Sequence, residues 1–595
     1  MTPGPGDADL NWSPDGAPHS ARFDDVYFST ADGLAESRAV FLQGCALPAA
    51  WIGRPHFTVG ELGFGTGLNI LALLDLWRRT RAPEQRLSIF SVEAFPLSAE
   101  EAARALAAWP ELADLAQRLI SAWPRRAPGF HRIDFSDMGA NLDLAIGEVD
   151  WALDQWAGRA DAWFLDGFSP AKNPQMWREE VLAAVARRSA PGARVGTFTV
   201  AGAVRRGLQS AGFEVAKAEG FGRKRERLEA RLPGEARDAP RTTAAVLGAG
   251  VAGASLARAL NSLGASVVVL DAKGAAAGAS GNPAALVSAA LDAGGGTRAA
   301  FYAQTLARAR DLYAGTPGVT LSEGLVQLER AERDGQRFDA VAASGVFDPA
   351  RITRIDAAAA SAEIGSDLPS GGLQLVDALT IDPKAAIDHW LRAATLVVGQ
   401  AAKLERADGR WRVLASDGAL LAEADVLCLA AGYAISKLWP ALPMQPVRGQ
   451  ASWARAEGPA KALAWGGYAT PFGDHVLFGA THDRDREDID VTPADHARNL
   501  KTLAEVLPQI ASRLNLDALD GRAGVRAATP DRMPMAGALG AEGLYVLGGL
   551  GSRGFSTAPL LAEHIAALIC GAPSPLPADV QRIIDPMRFT RTRSP

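Results

Sequence analysis

A chain of 595 residues is too long for one hydrophobic core, since single cores stop growing at roughly 250–300 residues, so two or three domains are expected. Its 48% hydrophobic and 22% charged residues are ordinary globular values and exclude a disordered or fibrous chain. A formal net charge of −6 excludes a wholesale basic nucleic-acid-binding domain and leaves room only for a local basic patch.

In chain order, the N-terminal stretch "MTPGPGDADLNWSPDG" is polar and lacks the basic-then-apolar pattern of a signal peptide. No apolar run approaches the roughly 20 residues that span a bilayer, so neither export nor membrane insertion is expected. Cys45, Cys428 and Cys570 lie far apart in no metal-ligand spacing. They read as small buried apolar groups of a reduced, cytoplasmic protein without a metal site.

Short apolar runs then alternate with helical patterns: "HFTVGELGFGTG", "LNILALLDLWRRT", "RLSIFSVEAF", "ADAWFLDGF" and "GARVGTFTV". Strands alternating with helices predict an α/β domain over residues 1–235, with a parallel sheet covered on both faces. In "VGELGFGTGLN", Glu61 precedes Gly63, Gly65 and Gly67. Phosphate binding favours a wider glycine spacing. This tighter turn with an acid in front suits the zwitterion S-adenosylmethionine, whose amino group can be held there. Glu93, closing the next strand, is placed for the ribose hydroxyls, and Asp150 for the adenine amine. Asp166 ends the strand in "DAWFLDGFSPAKNPQMW", where open α/β sheets carry their chemistry. A carboxylate there can orient an amine or accept its proton; the alternative is a helix cap. Further on, "GFGRKRERLEARL" crowds Arg223, Lys224, Arg225, Arg227 and Arg231 into one stretch. Either it contacts RNA phosphates or it is a solvated face balanced by Glu226 and Glu229.

The polar, proline-bearing stretch 232–243 reads as a linker, with residues 236–243 as its core and a second domain over 244–595. There "AAVLGAGVAGASLARAL" sets Gly248, Gly250 and Gly253 between strand and helix, and Asp271 closes the following strand. Strand, turn, helix and acid in register predict a dinucleotide site, the acid favouring an unphosphorylated ribose. The small-residue stretch "GAAAGASGNPAAL", containing Ser280, Gly281 and Asn282, can pass beneath a pyrophosphate. Near the C-terminus, "GGLGSRGFSTAP" places Gly548, Gly549, Gly551, Ser552, Arg553 and Gly554 ahead of a helix. Amides there can stabilise negative charge on a reduced flavin, so FAD fits better than a nicotinamide. From about 320 to 480, short β-type runs such as "GLVQLER", "RWRVLAS", "QASWARA" and "HVLFGATHD" predict a mostly antiparallel sheet inserted into this nucleotide fold.

These stretches, with "GVRAATPDRMPMAG", resemble FAD-dependent amine oxidoreductases of the glycine oxidase and D-amino acid oxidase type. Such enzymes oxidise amines bearing a carboxylate. Arg526 is the candidate clamp for that carboxylate, with Arg448 and Arg553 as rivals.

Over nearly its whole length the chain resembles one family, the bifunctional tRNA 5-methylaminomethyl-2-thiouridine biosynthesis proteins. The resemblance is carried by "FDDVYFS", "ELGFGTGLN", "DGFSPAKNPQMW", "TFTVAGAVRRGLQSAGFEV", "GFGRKRE", "GASGN", "PVRGQ" and "LGSRGFSTAPL", in that order. It implies a C-terminal flavin module that removes the carboxymethyl group from 5-carboxymethylaminomethyl uridine at the tRNA wobble position. It further implies an N-terminal module that methylates the resulting primary amine, both on one chain able to act as a monomer. The residues by themselves leave a second substrate class open, free sarcosine-like amino acids handled by a fused amine oxidase and N-methyltransferase. The negative net charge favours free amino acids; the "GFGRKRER" cluster favours tRNA.

Overall fold

The computed structural model describes residues 6, 8–14, 16–28, 32–222, 225–235, 238 and 241–589. The chain divides into two compact units: Met1–Pro240 with Gly571–Ala578, and Arg241–Cys570 with Asp579–Pro595. The first unit is therefore discontinuous in sequence. A division read along the chain, with everything after residue 243 in one domain, does not anticipate this.

The first unit is built on an eight-stranded sheet: β1 (His56–Leu62), β2 (Arg86–Glu93), β3 (Gly129–Phe135), β4 (Ala140–Ile146), β5 (Ala160–Leu165), β6 (Ser189–Thr197), β7 (Glu214–Glu219) and β8 (Glu226–Arg231). Their spatial order is β7-β8-β6-β5-β1-β2-β4-β3. The central pairs are parallel, and the outer pairs β3–β4, β6–β8 and β8–β7 are antiparallel. Helix α1 (Leu68–Thr80) buries Ile70, Leu71, Leu74 and Trp77 against one face. Phe90, Trp156 and Trp163 fill the other, with the Phe90 and Trp156 rings stacked 4.4 Å apart. Both faces are covered, so the central strands read as continuous apolar runs. A separate small sheet pairs Leu10–Trp12, Pro18–Ser20 and Asp25–Val26.

The second unit has a six-stranded sheet of β9 (Thr243–Leu247), β10 (Ser266–Asp271), β11 (Thr395–Val398), β12 (Val426–Leu429), β13 (Met535–Ala538) and β14 (Leu544–Gly548), in the order β11-β10-β9-β12-β14-β13. Helices α2 (Val251–Ser262) and α3 (Gly554–Cys570) pack together on it. A ten-stranded, mostly antiparallel sheet accompanies it. That sheet draws strands from Ala285–Val287 through to Asp520–Ala528, beyond the expected 320–480 window. It is also interrupted, because β11 and β12 leave the same window to join the parallel sheet. "RWRVL" takes a different place from the one its pattern suggested. Arg410–Leu414 is the middle strand of a three-stranded sheet, and its Trp411 and Val413 pack on Leu247, Leu427 and Val546 of the parallel sheet. Alternating apolar residues show that a strand has one buried face, not which sheet it covers. Among the described residues no helix is long and apolar enough to cross a membrane.

Candidate active sites

Each unit has a crevice where its strand order reverses, between β1 and β5 in the first and between β9 and β12 in the second. Connections leave in opposite directions from such a pair, opening a gap at the carboxyl ends of the strands.

In the first crevice, Gly63, Gly65 and Gly67 all have positive φ, and Gly67 starts α1 with φ +82°. The turn passes so close to the end of β5 that a Cβ on Gly63 would lie 3.0 Å from the Gly167 backbone. Asp166 follows β5 directly, and its amide donates to the Leu62 carbonyl at 3.1 Å. Its side chain accepts from Asn69 Nδ2 at 2.7 Å, and Asn69 Oδ1 in turn accepts from the Ser37 hydroxyl. Asp166 is therefore not a helix cap but a partly exposed carboxylate oriented by α1.

Glu61 is wholly buried. Its Oε2 accepts from Ser91 Oγ at 2.5 Å and Asn69 also approaches the carboxyl, whereas among the described residues Oε1 meets no partner in hydrogen-bonding geometry. Burial pushes this carboxyl up to about 8; Asp166 and Glu93 add to the rise and Ser91 opposes it. An unpartnered acceptor beneath the glycine turn fits a ligand bearing an ammonium group. Glu93 closes β2 and accepts from Gly65 N at 2.9 Å and Phe95 N at 2.8 Å. Burial raises its pKa as well. Asp150 is exposed in the first turn of Val149–Gln155 and paired with Arg178, on a segment whose Gly147 amide donates to the Glu93 carbonyl at 2.9 Å.

Sequence reading overlooked the segment that packs over this crevice. Phe23 stacks on Phe168 at 4.8 Å, Tyr27 meets Phe168 edge-on at 5.2 Å, and a Cβ on Gly65 would touch Tyr27 at 3.2 Å. Asp25 accepts from Ser169 N at 2.9 Å, and Lys172 pairs with Asp24 at 2.7 Å. Burial and the neighbouring Glu93 hold the Tyr27 phenol protonated. The signal was available in "FDDVYFS", but nothing local shows that it docks on residues 168–172.

The second crevice opens into a cavity of about 1600 Å³ lined by Gly248, Gly250, Asp271, Ser280, Asn282, Arg526, Gly549, Gly551, Ser552, Arg553 and Gly554. This volume exceeds the roughly 300–1,000 Å³ of a small-ligand pocket and leaves room for a ligand of dinucleotide size. Gly248 touches the end of β12, where a Cβ would meet the Ala430 carbonyl at 2.5 Å, and a Cβ on Gly253 would fall 1.7 Å from the Gly248 carbonyl. Gly253 is thus a packing glycine and does not line the cavity. Asp271 accepts from Ala249 N at 2.9 Å, and from Lys273 N and Gly274 N. Ser280 Oγ accepts from Val251 N at 3.1 Å at the start of α2. Gly281 does not line the cavity; a Cβ there would lie 2.2 Å from the Ala276 carbonyl and 2.5 Å from Arg522 Nη2. The Arg522 guanidinium donates to the Ala277 and Gly278 carbonyls at 2.7 and 2.8 Å, holding the small-residue loop. Motif reading missed this arginine.

The structure separates the three candidate clamps. Arg448 is 0% exposed and lies among Asp483, Asp488 and Asp495, the last at 2.7 Å. Arg553 donates to Ser288. Arg526, on Asp520–Ala528, faces the cavity beside Tyr468, and among the described residues its guanidinium has no ion-pair or hydrogen-bond partner. Burial lowers its pKa, with Tyr468 opposing the shift. His482 lines the same cavity; burial and the Arg526, Arg484 and Arg532 charges hold it below its ordinary pKa and hence neutral. Gly449 leaves room for the clamp, since a Cβ there would lie 2.6 Å from Arg526 Nη2.

Of the basic cluster, Arg223 and Lys224 lie outside the described residues. Arg225 is exposed, and its carbonyl accepts from Gly220 N. Its neighbour Arg227 pairs with Glu229 at 2.7 Å, and Lys217 with Glu226 at 2.7 Å. Among the described residues no group of three or more His, Cys, Asp or Glu could hold a metal ion.

Comparison with known proteins matches residues 110–233 to a family of S-adenosyl-L-methionine-dependent methyltransferases and residues 243–568 to the FAD dependent oxidoreductases. A relative from Caulobacter sp. (strain K31), named tRNA 5-methylaminomethyl-2-thiouridine biosynthesis bifunctional protein MnmC, is 54% identical over 98% of this chain and 97% of its own length. A protein of the same name from Maricaulis maris (strain MCS10) is 42% identical over 99% of this chain and 97% of its own. Among solved structures, the L-proline dehydrogenase from P. horikoshii shares the fold with a TM-score of 0.50 at 17% identity, covering 59% of this chain and 98% of its own.

Proposed function

Since the chain belongs to the family of tRNA 5-methylaminomethyl-2-thiouridine biosynthesis bifunctional proteins, we propose that its two crevices carry successive steps on one wobble uridine of tRNA. The protein is an FAD-dependent oxidoreductase and an S-adenosylmethionine-dependent methyltransferase in one chain. The oxidative step removes the carboxymethyl group of 5-carboxymethylaminomethyl uridine, and the methylation step converts the exposed primary amine to 5-methylaminomethyl uridine.

Arg526 carries this reading: a guanidinium facing a cavity of cofactor size without an acid of its own suits a substrate that brings a carboxylate. It holds the carboxymethyl carboxylate by paired charge-assisted bonds and so fixes the neighbouring carbon for oxidation. Bound FAD supplies the two-electron acceptor, and one water then releases glyoxylate and the amine. The amides around Gly549, Gly551 and Gly554, with Gly248 and Gly250 at the other end, cradle the cofactor, while Asp271 addresses its ribose. Neutral His482, beside the clamp, is suited to take the proton that the secondary amine must lose before it can be oxidised.

In the first unit, Glu61, Glu93 and the glycines 63, 65 and 67 bind the methyl donor. Asp166, aimed by Asn69, orients the amine and accepts its proton as the new N–C bond forms. Phe168, held by Phe23 and Tyr27, provides a ring against which the uracil can stack. The charged stretch around Arg225 contacts tRNA phosphates.

The deciding experiment is mass analysis of wobble nucleosides from cells lacking the protein, complemented with wild type or with Asp166→Ala. The deleted strain should accumulate the carboxymethylaminomethyl nucleoside, wild type should restore the methylated product, and Asp166→Ala should stop at the primary amine. Unaltered tRNA in the deleted strain would overturn the substrate; a methylated product from Asp166→Ala would overturn the role of Asp166.

A further inference from the structure

Residues 274–281, "GAAAGASG", contain no side chain larger than a hydroxymethyl group. Such a stretch cannot anchor itself by packing, and its glycines add to the conformational freedom that folding must remove. It nevertheless takes a defined shape, with Ala276 in the left-handed region at φ +57°, where a residue other than glycine is strained by about 1–2 kcal/mol. Groups outside the loop must hold it there.

Two of the holds come from the dinucleotide turn: Ala276 N donates to the Ala249 carbonyl at 3.0 Å, and Ser280 Oγ accepts from Val251 N at 3.1 Å. The third is Arg522. Its Nη2 stands inside the bend, 2.7 Å from the Ala277 carbonyl oxygen, 2.8 Å from that of Gly278 and 3.5 Å from that of Ala276. Gly281 closes the bend on the other side, where a Cβ would lie 2.5 Å from the same nitrogen. Two positions along the strand from Arg522, a Cβ on Gly524 would come within 3.2 Å of Ala279 Cα, so the loop lies against the strand itself.

Arg522 and Arg526 both belong to Asp520–Ala528 and both line the cavity; the two-residue period of a strand puts them, with Gly524, on one face. Among the described residues the Arg526 guanidinium has no hydrogen-bond partner, whereas that of Arg522 is spent on backbone carbonyls of the loop.

We propose that Arg522 is a positioning residue for the cofactor: it pre-forms the 274–281 loop against the start of α2, so that the diphosphate half of FAD meets a finished wall. The cost of ordering the loop is then met on folding instead of on binding. The proposal rests on the reading of the second crevice as the FAD site, and it divides one strand between two ligands, Arg522 serving the cofactor and Arg526 the substrate.

The test uses the full chain freed of flavin, as wild type, Arg522→Met and Gly281→Ala. The first variant removes the donor, and the second crowds Nη2 out of the bend while keeping the arginine. Each is titrated with FAD and, separately, with ADP, which carries the diphosphate without the flavin. In Arg522→Met both dissociation constants should rise about 10–100-fold, the range expected for a lost hydrogen bond from a charged group. Gly281→Ala should weaken both ligands in the same direction, and the melting temperature of the flavin-free chain should stay at its wild-type value in Arg522→Met, because the bonds reach only the loop. Oxidation lost at low FAD should return when FAD is added in excess. Wild-type affinity for FAD and ADP in Arg522→Met overturns the proposal. So does weakened FAD with unchanged ADP, which would put the effect at the flavin end, or a clear fall in the flavin-free melting temperature, which would make Arg522 a brace of the fold. Failure of the wild-type chain to bind FAD overturns instead the reading of the crevice. Should Arg522→Met fail to fold, Gly281→Ala decides by the same two constants.

Discussion

Arg526 and Arg448 sit in the same sheet, and their surroundings give them opposite work. Arg448 has three carboxylates close by and no exposure, and its 2.7 Å pair with the nearly buried Asp495 would be broken by removing its charge. Breaking a buried pair of this kind costs about 3–5 kcal/mol. Arg526 has no such dependants. Arg448→Gln should lower the melting temperature sharply. Arg526→Gln should leave melting nearly unchanged and raise KM for the carboxymethylamino substrate by about 10–100-fold, the loss expected for one charge-assisted bond of about 1.5–3 kcal/mol. Thermal melts and steady-state kinetics on the two variants check the contrast, which fails if Arg448→Gln melts like wild type.

Glu61 makes a pH-dependent contribution to stability. Its folded pKa of about 8 lies above the ordinary 4.5, so between those values the folded chain keeps a proton that the unfolded chain has released. Stability from this group is greatest below about pH 4.5, falls as pH rises to about 8, and is level above. Glu61→Gln mimics the protonated form, so its melting temperature relative to wild type should climb between about pH 5 and pH 8. Paired melts at the two ends measure it; an equal offset at both would show that Glu61 is ionised in the folded protein throughout.

At the scale of elements, one device is used twice. A strand ends in a glycine turn that opens a helix, and a carboxylate at the end of the next strand accepts from an amide of the turn: Glu93 from Gly65, Asp271 from Ala249, each at 2.9 Å. The close packing leaves no space for a methyl at Gly253, whose Cβ would meet the Gly248 carbonyl at 1.7 Å. Gly253→Ala must push α2 away from β9, and the purified protein should carry much less flavin absorbance per chain while methyl transfer persists. Full flavin occupancy would show that the helix tolerates the shift.

These turn units were legible in the sequence because their information is local: glycine spacing, the apolar run before it and the acid after it. What escaped notice depends on residues distant in sequence. Arg522 braces the 276–281 loop from the far end of the chain. Phe23 and Tyr27 reach Phe168 across more than a hundred residues. The choice of Arg526 over Arg448 rested on which acids fold beside each, and no motif records that. "RWRVL" was correctly read as a strand and misassigned to a sheet, since alternation marks a buried face without naming its partner.

For the whole molecule, two separate crevices explain how incompatible chemistries share one chain. Oxidation needs a cavity that grips a carboxylate, and methylation needs a neutral amine next to an acid; one pocket could not favour both. The negative net charge is then no obstacle to an RNA substrate, because many acids are spent on pairing arginines across the fold. The order of the steps follows from charge as well. If Asp166 acts as proposed, the carboxylate of the unprocessed substrate would be repelled there, and the first unit should methylate it far more slowly than the primary amine.

The solitary charge of Arg526 bears finally on how the enzyme behaves in a test tube and in a cell. A guanidinium of this kind captures whichever small anion the medium offers, so acetate or chloride in a buffer competes with the substrate. Glyoxylate leaves the reaction still carrying the very group that the arginine grips. On that reading of Arg526, added glyoxylate should inhibit the oxidative half competitively with substrate, and steady-state kinetics with and without it would measure the effect.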